Sequence, residues 1–137
     1  MSLFINSPSY YTHIHGIDDD VYKMCRSLEK AVDIKNYTSL IDTVGITPII
    51  AKDSEICDGK WDELKHISLA YRMASISLRI DYEEYIASNI EEKKMLIINN
   101  IFSSLLVVKK RLKDNFDYEK IKNDILVSAG FSLNANF

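Results

Sequence analysis

The fold is decided by the stretch ASISLRIDYEEYIAS, residues 74–88. Apolar side chains occupy every second position from Ala74 to Tyr82, and the positions between them are polar. This alternation predicts a strand with one apolar and one polar face. A one-sided strand is typical of an antiparallel sheet that exposes one face to water. The alternation stops at Glu83, and residues 83–87 predict a short helical turn.

Two helices are predicted after this strand. Residues 91–113 have an acidic first turn and a basic last turn, the order that the helix dipole favours. The apolar stripe of this long helix is formed by Ile98, Ile101, Leu105, Val108 and Leu112, with Ile97 and Phe102 beside it. Asp117 is placed to cap a final helix that ends near Gly130. We expect the long helix to be the most buried element.

Before the decisive strand, the sequence predicts two further strands and a helix. Residues 9–16 alternate as a strand does, and Asp18, Asp19 and Asp20 then precede an amphipathic helix. The apolar stripe of this helix is formed by Val21, Met24, Cys25, Leu28, Ala31 and Val32. Residues 39–51 predict another strand, which Pro48 makes an edge strand or a bulged one.

Residues 60–73 fit two patterns. Trp61, Leu64, Ser68 and Tyr71 suit a short helix, whereas alternation from Ile67 onward suits a strand. We predict a helix that ends near Tyr71. The whole pattern predicts a single α+β domain over residues 1–137, with a small antiparallel sheet packed against several helices and the long helix in the core.

Composition restricts the partners. The formal net charge of −3 disfavours a nucleic-acid binder, which normally has a strong basic excess. No apolar run approaches the roughly 18 residues of a membrane span, and the first residues do not resemble a signal peptide. The two cysteines, Cys25 and Cys57, form no CxxC motif and suit free thiols in a reducing compartment. We expect a cytoplasmic protein without nucleic-acid or membrane partners.

His13 and His15 are the strongest candidates for metal chemistry. Side chains two apart on a strand share a face, and three aspartates follow closely. A zinc site needs three or four ligands, however, and no motif ties the third histidine, His66, to the pair. We therefore predict no metal and no other cofactor, and interpret His13 and His15 as half-exposed histidines of a sheet.

Two groups of carboxylates remain. The first group is formed by Asp18, Asp19 and Asp20. One aspartate can cap the helix and a second can interact with the helix dipole, so three carboxylates are more than the helix start requires. Asp81, Glu83 and Glu84 follow the decisive strand. Paired carboxylates can hydrolyse glycosides, but nothing else in the sequence indicates a substrate cleft, and nucleophile elbows, P-loops and HExxH motifs are absent. We predict that the protein is not an enzyme.

Three stretches together resemble a known class of protein: SLRIDYEEYIAS (residues 77–88), KKMLIINNIFSSLLVVKKRL (93–112) and FDYEKIKNDIL (116–126). Their order is similar to that in small immunity proteins of bacterial contact-dependent inhibition and polymorphic-toxin systems. The resemblance implies a protein that binds and neutralises a cognate toxin domain in the cytoplasm. It carries over no toxin-binding residue.

An acidic immunity protein would suit a basic toxin, such as a nuclease, because complementary charge accelerates encounter. The candidate toxin contacts are therefore Asp18, Asp19, Asp20, Asp81, Glu83 and Glu84. Two alternatives stay open: a small metal-binding enzyme that uses His13 and His15, and an adaptor that associates with itself. The sequence does not decide between a monomer and a homodimer.

Overall fold

The structure is a computed structural model that describes residues 3–5, 9–10, 19–52 and 63–131. The strands of these residues are β1 (Leu3–Ile5), β2 (Ser9–Tyr10), β3 (Thr43–Ile46), β4 (Ile49–Ala51), β5 (Glu63–Ser68) and β6 (Met73–Asp81). The helices are α1 (Asp19–Ala31), α2 (Tyr82–Ala87), α3 (Ile90–Leu112) and α4 (Tyr118–Ser128), with short 3₁₀ segments at Ile34–Asn36 and Lys113–Asn115. The predicted α+β class is confirmed.

The strand predicted around Pro48 is interrupted at that residue. β3 and β4 both run parallel to β6 and in one register, since Thr43 lies opposite Met73 and Ile49 lies opposite Arg79. They are therefore two parts of one strand, divided at residues 47–48. Proline has no N–H to donate to a ladder, which explains the break. This strand is an interior one, because β1 and β2 pair with its other side.

The predicted antiparallel sheet is wrong for most of the strand pairs. Among the described residues, only β5 and β6 pair antiparallel, while β1–β3, β2–β4, β3–β6 and β4–β6 are parallel. Parallel neighbours need a long crossover, and α1 supplies it between β1 and β3. Helices α1, α3 and α4 pack against one another as well as on β1 and β6, so they form one layer. A sheet covered by one layer keeps a polar face whatever its strand direction.

The helix predicted to end near Tyr71 is also wrong. Residues 63–68 form β5, and residues 69–72 turn the chain into β6, with Arg72 at a φ of 55°. The turn is held by Arg72, whose guanidinium donates to both oxygens of Asp42 at 2.9 Å. The alternation from Ile67 onward correctly indicated an extended conformation at Ile67 and Ser68, but not at residues 69–72, which form the turn. Pairing with β6 selects the extended conformation of β5.

The core follows the predicted helical stripes closely. All seven apolar residues predicted for the long helix are buried in α3, and Ile121, Ile125 and Leu126 of α4 join them. Asp117 caps α4 through a bond from the Lys120 N–H to its Oδ1, as predicted. In α1 the stripe is buried except at Ala31, which is exposed. None of the described helices is long and apolar enough to cross a membrane.

A buried carboxylate on α1 binds the backbone of the edge strand β1. Glu29 is 4% exposed, and its Oε2 accepts the Ile5 N–H at 2.9 Å. Arg26 lies 2.9 Å from Glu29 Oε1 and donates to the Ile5 carbonyl. The two side chains therefore occupy backbone groups of β1 that another strand would otherwise pair with. Glu29 lies at the margin of the apolar stripe of α1, and no role was predicted for it.

Candidate functional site

A cleft of about 490 Å³ opens where β6 ends, between β6, α2 and α3. Its walls include Arg79 and Asp81 of β6, Glu84 of α2, and a stripe of polar residues on α3. The cleft thus contains two of the carboxylates that the sequence singled out, Asp81 and Glu84. Glu83, the third, is exposed and does not line it.

Asp81 is held by structural bonds. Its Oδ2 accepts the Glu84 N–H at 3.0 Å, which caps α2, and its Oδ1 lies 3.3 Å from an Arg79 guanidinium nitrogen. That nitrogen also donates to the Ala51 carbonyl at 3.1 Å, which ties the pair to β4. Both oxygens of Asp81 therefore have partners within the protein.

The other wall of the cleft is one face of α3. Leu96, Asn99, Asn100 and Ser103 line it, at the three- and four-residue spacing of a single helical stripe. The start of α3 is fixed by a capping box, in which Asn89 and Glu92 each accept the other's backbone N–H at 2.9 Å. The position of this polar stripe relative to β6 is thus defined by a well-anchored helix.

Asn100 connects α3 to β6. Its Nδ2 donates to the Leu78 carbonyl at 2.9 Å, and the residue is only 6% exposed. Its Oδ1 is buried and has no hydrogen-bond partner. The Leu78 carbonyl can only accept, so the amide nitrogen must face it and the two amide atoms cannot be exchanged. The cleft wall thus includes a residue whose carbonyl oxygen is a buried acceptor without a partner.

The second group of predicted carboxylates is arranged differently. Asp19 and Asp20 are exposed in the first turn of α1 and do not line the cleft between β6, α2 and α3. Asp18, which precedes the helix, lies outside the described residues. This part of the predicted contact surface is an ordinary acidic helix start.

His13 and His15 also lie outside the described residues, and His66 is exposed on β5. Within the described ranges, no group of three or more histidine, cysteine or carboxylate side chains is placed to hold a metal ion. The interpretation of His13 and His15 as sheet histidines stays a prediction.

Sequence reasoning missed Asn99, Asn100 and Ser103. They interrupt the apolar stretch of α3 at helical spacing. Asn99 and Ser103 are exposed, whereas Asn100 is buried, and a buried amide normally has a bonding or binding role because burying it without a partner is costly. That pattern could have identified this face of α3, although not the strand opposite it.

The cleft is lined by charged, amide and hydroxyl groups, with one more carboxylate than guanidinium. It presents carboxylate, amide and hydroxyl oxygens beside the apolar side chains of Leu78, Ile80 and Leu96. The charges of Arg79 and Asp81 offset one another, and Glu84 adds a further negative charge. A group that donates several hydrogen bonds from an apolar stem would match these walls.

Comparison with known proteins identifies one family. The family model described as immunity protein 44 matches residues 1–129. No curated protein and no solved structure matches the chain. The family match extends beyond residues 74–126, where the three resembling stretches lie, and includes β1, α1 and β3.

Proposed function

Because the chain belongs to the immunity protein 44 family of polymorphic toxin systems, we propose that it binds one cognate toxin domain in the cytoplasm and blocks its activity. The family match over residues 1–129 is the observation that carries this proposal. The protein acts by binding rather than by catalysis, as one domain formed by the whole chain. Inhibition follows if the bound protein covers the toxin's active site or displaces its substrate.

The acidic surfaces support a basic toxin. Asp19, Asp20 and Glu83 are exposed, and Glu84 is exposed at the mouth of the cleft. Opposite charge on the toxin would accelerate association and disfavour wrong partners. Proteins that bind nucleic acid place lysine and arginine against its phosphates, so a nuclease toxin with a basic substrate-binding surface would be a suitable partner.

The test begins with the gene that precedes this one. We expect it to encode a secreted protein with a C-terminal toxin domain, and we expect that domain to co-elute with this protein on gel filtration. Protection inside a cell at low toxin levels requires nanomolar or tighter binding, about −12 kcal/mol. The proposal is wrong if the purified toxin domain elutes separately and kills cells that express this protein.

The two acidic surfaces are distinguished by charge reversal. One variant carries Asp19→Lys and Asp20→Lys, with Asp18 kept for the helix start. The other carries Glu83→Lys and Glu84→Lys, with Asp81 kept as the cap of α2. We expect the second variant to lower affinity more, because Glu84 lines a concave surface. If both variants retain the association rate and salt dependence of the natural protein, neither surface contacts the toxin.

A further inference from the structure

The cleft between β6, α2 and α3 contains an acceptor without a partner. Asn100 is 6% exposed, and its Oδ1 makes no hydrogen bond although its Nδ2 donates to Leu78. Burying an acceptor without a donor destabilises a folded protein. The bond to Leu78 accounts for the amide nitrogen of Asn100 but not for its unpaired oxygen. Because Asn100 lines a cleft, a ligand that enters the cleft can bring the missing donor.

The charge in the cleft favours a cationic donor. The Arg79–Asp81 pair is internally neutral, and Asp81 is occupied by the α2 cap as well. The Glu84 backbone N–H makes the capping bond, whereas its carboxylate stands at the exposed rim of the same cleft. The ionised walls thus carry one excess negative charge, on the residue with the greatest freedom to meet a ligand.

The shape of the cleft favours a side chain over a free ion. About 490 Å³ is more than a single metal ion fills, and Leu78, Ile80 and Leu96 provide apolar contact along its walls. Arginine combines an apolar stem with a planar head that carries five N–H donors, whereas lysine concentrates its charge at one point. Several acceptors at different positions therefore suit a guanidinium better than an ammonium.

We propose that this cleft receives an arginine side chain of the toxin. The guanidinium pairs with the exposed Glu84 carboxylate and donates to the side-chain oxygens of Asn99 and Ser103, which are also exposed. A shift of the cleft wall then lets it donate to the buried Oδ1 of Asn100. The arginine stem lies against Leu96. This assignment rests on the proposed function, since it names the group by which a basic toxin would engage the protein.

The first experiment needs no toxin. Labelled protein is titrated with N-acetyl-arginine amide while amide NMR signals are followed, and with the citrulline analogue, which is neutral and nearly isosteric. We expect saturable shifts at the side-chain amides of Asn99 and Asn100 and at Glu84 with arginine alone. Glu84→Gln should weaken this binding about tenfold, the effect of removing one charged partner. Equal shifts with citrulline, or arginine shifts scattered over the surface, would overturn the assignment.

The second experiment measures the affinity of the neighbouring toxin domain. Glu84→Gln should weaken binding by about tenfold or more. Glu119→Gln is the matched control, because Glu119 is also an exposed acid in a helix first turn, that of α4. Ser103→Leu narrows the cleft without removing any hydrogen bond described for it and should also weaken binding. Thermal melts verify that each variant is folded.

The outcomes separate the two proposals. If the natural protein binds the toxin and both Glu84→Gln and Ser103→Leu bind equally well, the arginine site is wrong and the immunity function stands. If the toxin does not bind at all, the proposed function is wrong, and the arginine titration alone decides whether the cleft recognises a guanidinium. Loss of affinity in the two cleft variants but not in Glu119→Gln supports the assignment.

Discussion

Within the described part of the chain, helix side chains bind strand backbone on α1 and on α3, and the two places differ in the groups that they use and in whether a cleft lies beside them. On α1, Glu29 and Arg26 bind the N–H and the carbonyl of Ile5, and the two charges neutralise each other, although Arg26 Nε has no hydrogen-bond partner. On α3, Asn100 donates to the Leu78 carbonyl but leaves its own carbonyl unpaired beside an open cleft. The first arrangement closes a sheet edge, and the second keeps an acceptor available.

The difference indicates how the two sites contribute to the protein. An ion pair held against an edge strand is expected to support stability and to prevent unwanted strand pairing. A half-satisfied amide contributes less to stability and is expected to support binding. Substitutions at the two places should therefore affect different measurements, and the following predictions test this.

The largest decrease in the free energy of unfolding is expected from Glu29→Ala. It leaves the Ile5 N–H without its acceptor and the Arg26 charge without its partner. Removing one member of a buried pair costs about 3–5 kcal/mol, and because Arg26 is about one third exposed we expect roughly 2–4 kcal/mol in the free energy of unfolding. Urea denaturation measures it. Glu29→Gln keeps an acceptor for Ile5 and should lose less; an Ala variant as stable as the natural protein would show that β1 does not need this pair.

Alkaline pH should cause the next largest loss in the free energy of unfolding, because it ionises the Cys25 thiol, which is buried on α1. Burial raises the pKa of Cys25 to about 11, with Glu29 adding to the increase and Arg26 opposing it. Burial and the bond to Asp124 also raise the pKa of the Tyr37 hydroxyl. Groups with a raised pKa in the folded state stay protonated there while the unfolded chain ionises, so stability is complete below pH 9 and falls above it.

For Cys25 the loss should reach roughly 2 kcal/mol near pH 11. Denaturation midpoints between pH 8 and pH 11 measure it, and Cys25→Ala should remove part of the slope. In a Cys57→Ser background, the Cys25 thiol should resist Ellman's reagent at pH 8, and Glu29→Ala should make it reactive by opening β1. Rapid labelling of the folded natural protein would contradict the burial of this thiol.

A smaller effect on stability is expected from Asn100→Ala. The bond to Leu78 is lost, but so is the cost of the unpaired carbonyl, and the net loss should be about 1 kcal/mol. Toxin affinity should fall at the same time. The contrast with α1 fails if Asn100→Ala destabilises the fold as strongly as Glu29→Ala.

The smallest effects on stability are expected at the acidic residues of the cleft. Asp81→Ala removes the α2 cap and the partner of Arg79, which should cost about 1 kcal/mol or slightly less than Asn100→Ala. Glu84→Gln removes neither the α2 cap nor the partner of Arg79, and it should change the free energy of unfolding by less than about 0.5 kcal/mol. Thermal melts compare the two variants. Equal destabilisation would mean that Glu84 has a structural role not visible in its contacts.

Part of the candidate site was predictable and part was not. The carboxylates Asp81 and Glu84 stand out because they follow a strongly alternating strand, and Asp81 also has the sequence position of a helix cap. Asn99, Asn100 and Ser103 are separated from them by a helical turn and a capping box, and nothing local indicates which strand α3 will face. Their partners are chosen by packing between elements.

By itself, the sequence determined the elements whose residues interact with close neighbours in the chain. α3, α4 and β6 follow from apolar periodicity, and the Asp117 cap follows from a hydrogen bond over three residues. Such patterns are local because a helix or strand repeats within a few residues.

Only the tertiary structure decided the features that depend on distant pairing. β5 is extended because β6 offers it a partner, and β1 and β3 are parallel because α1 carries the chain back across the sheet. Glu29 is buried where its carboxylate accepts the Ile5 N–H. Each of these features depends on the free energy of contacts between segments that are distant in the sequence. A local sequence pattern contains no information about such contacts. The cleft is of the same kind, since it exists only where the polar stripe of α3 meets the end of β6.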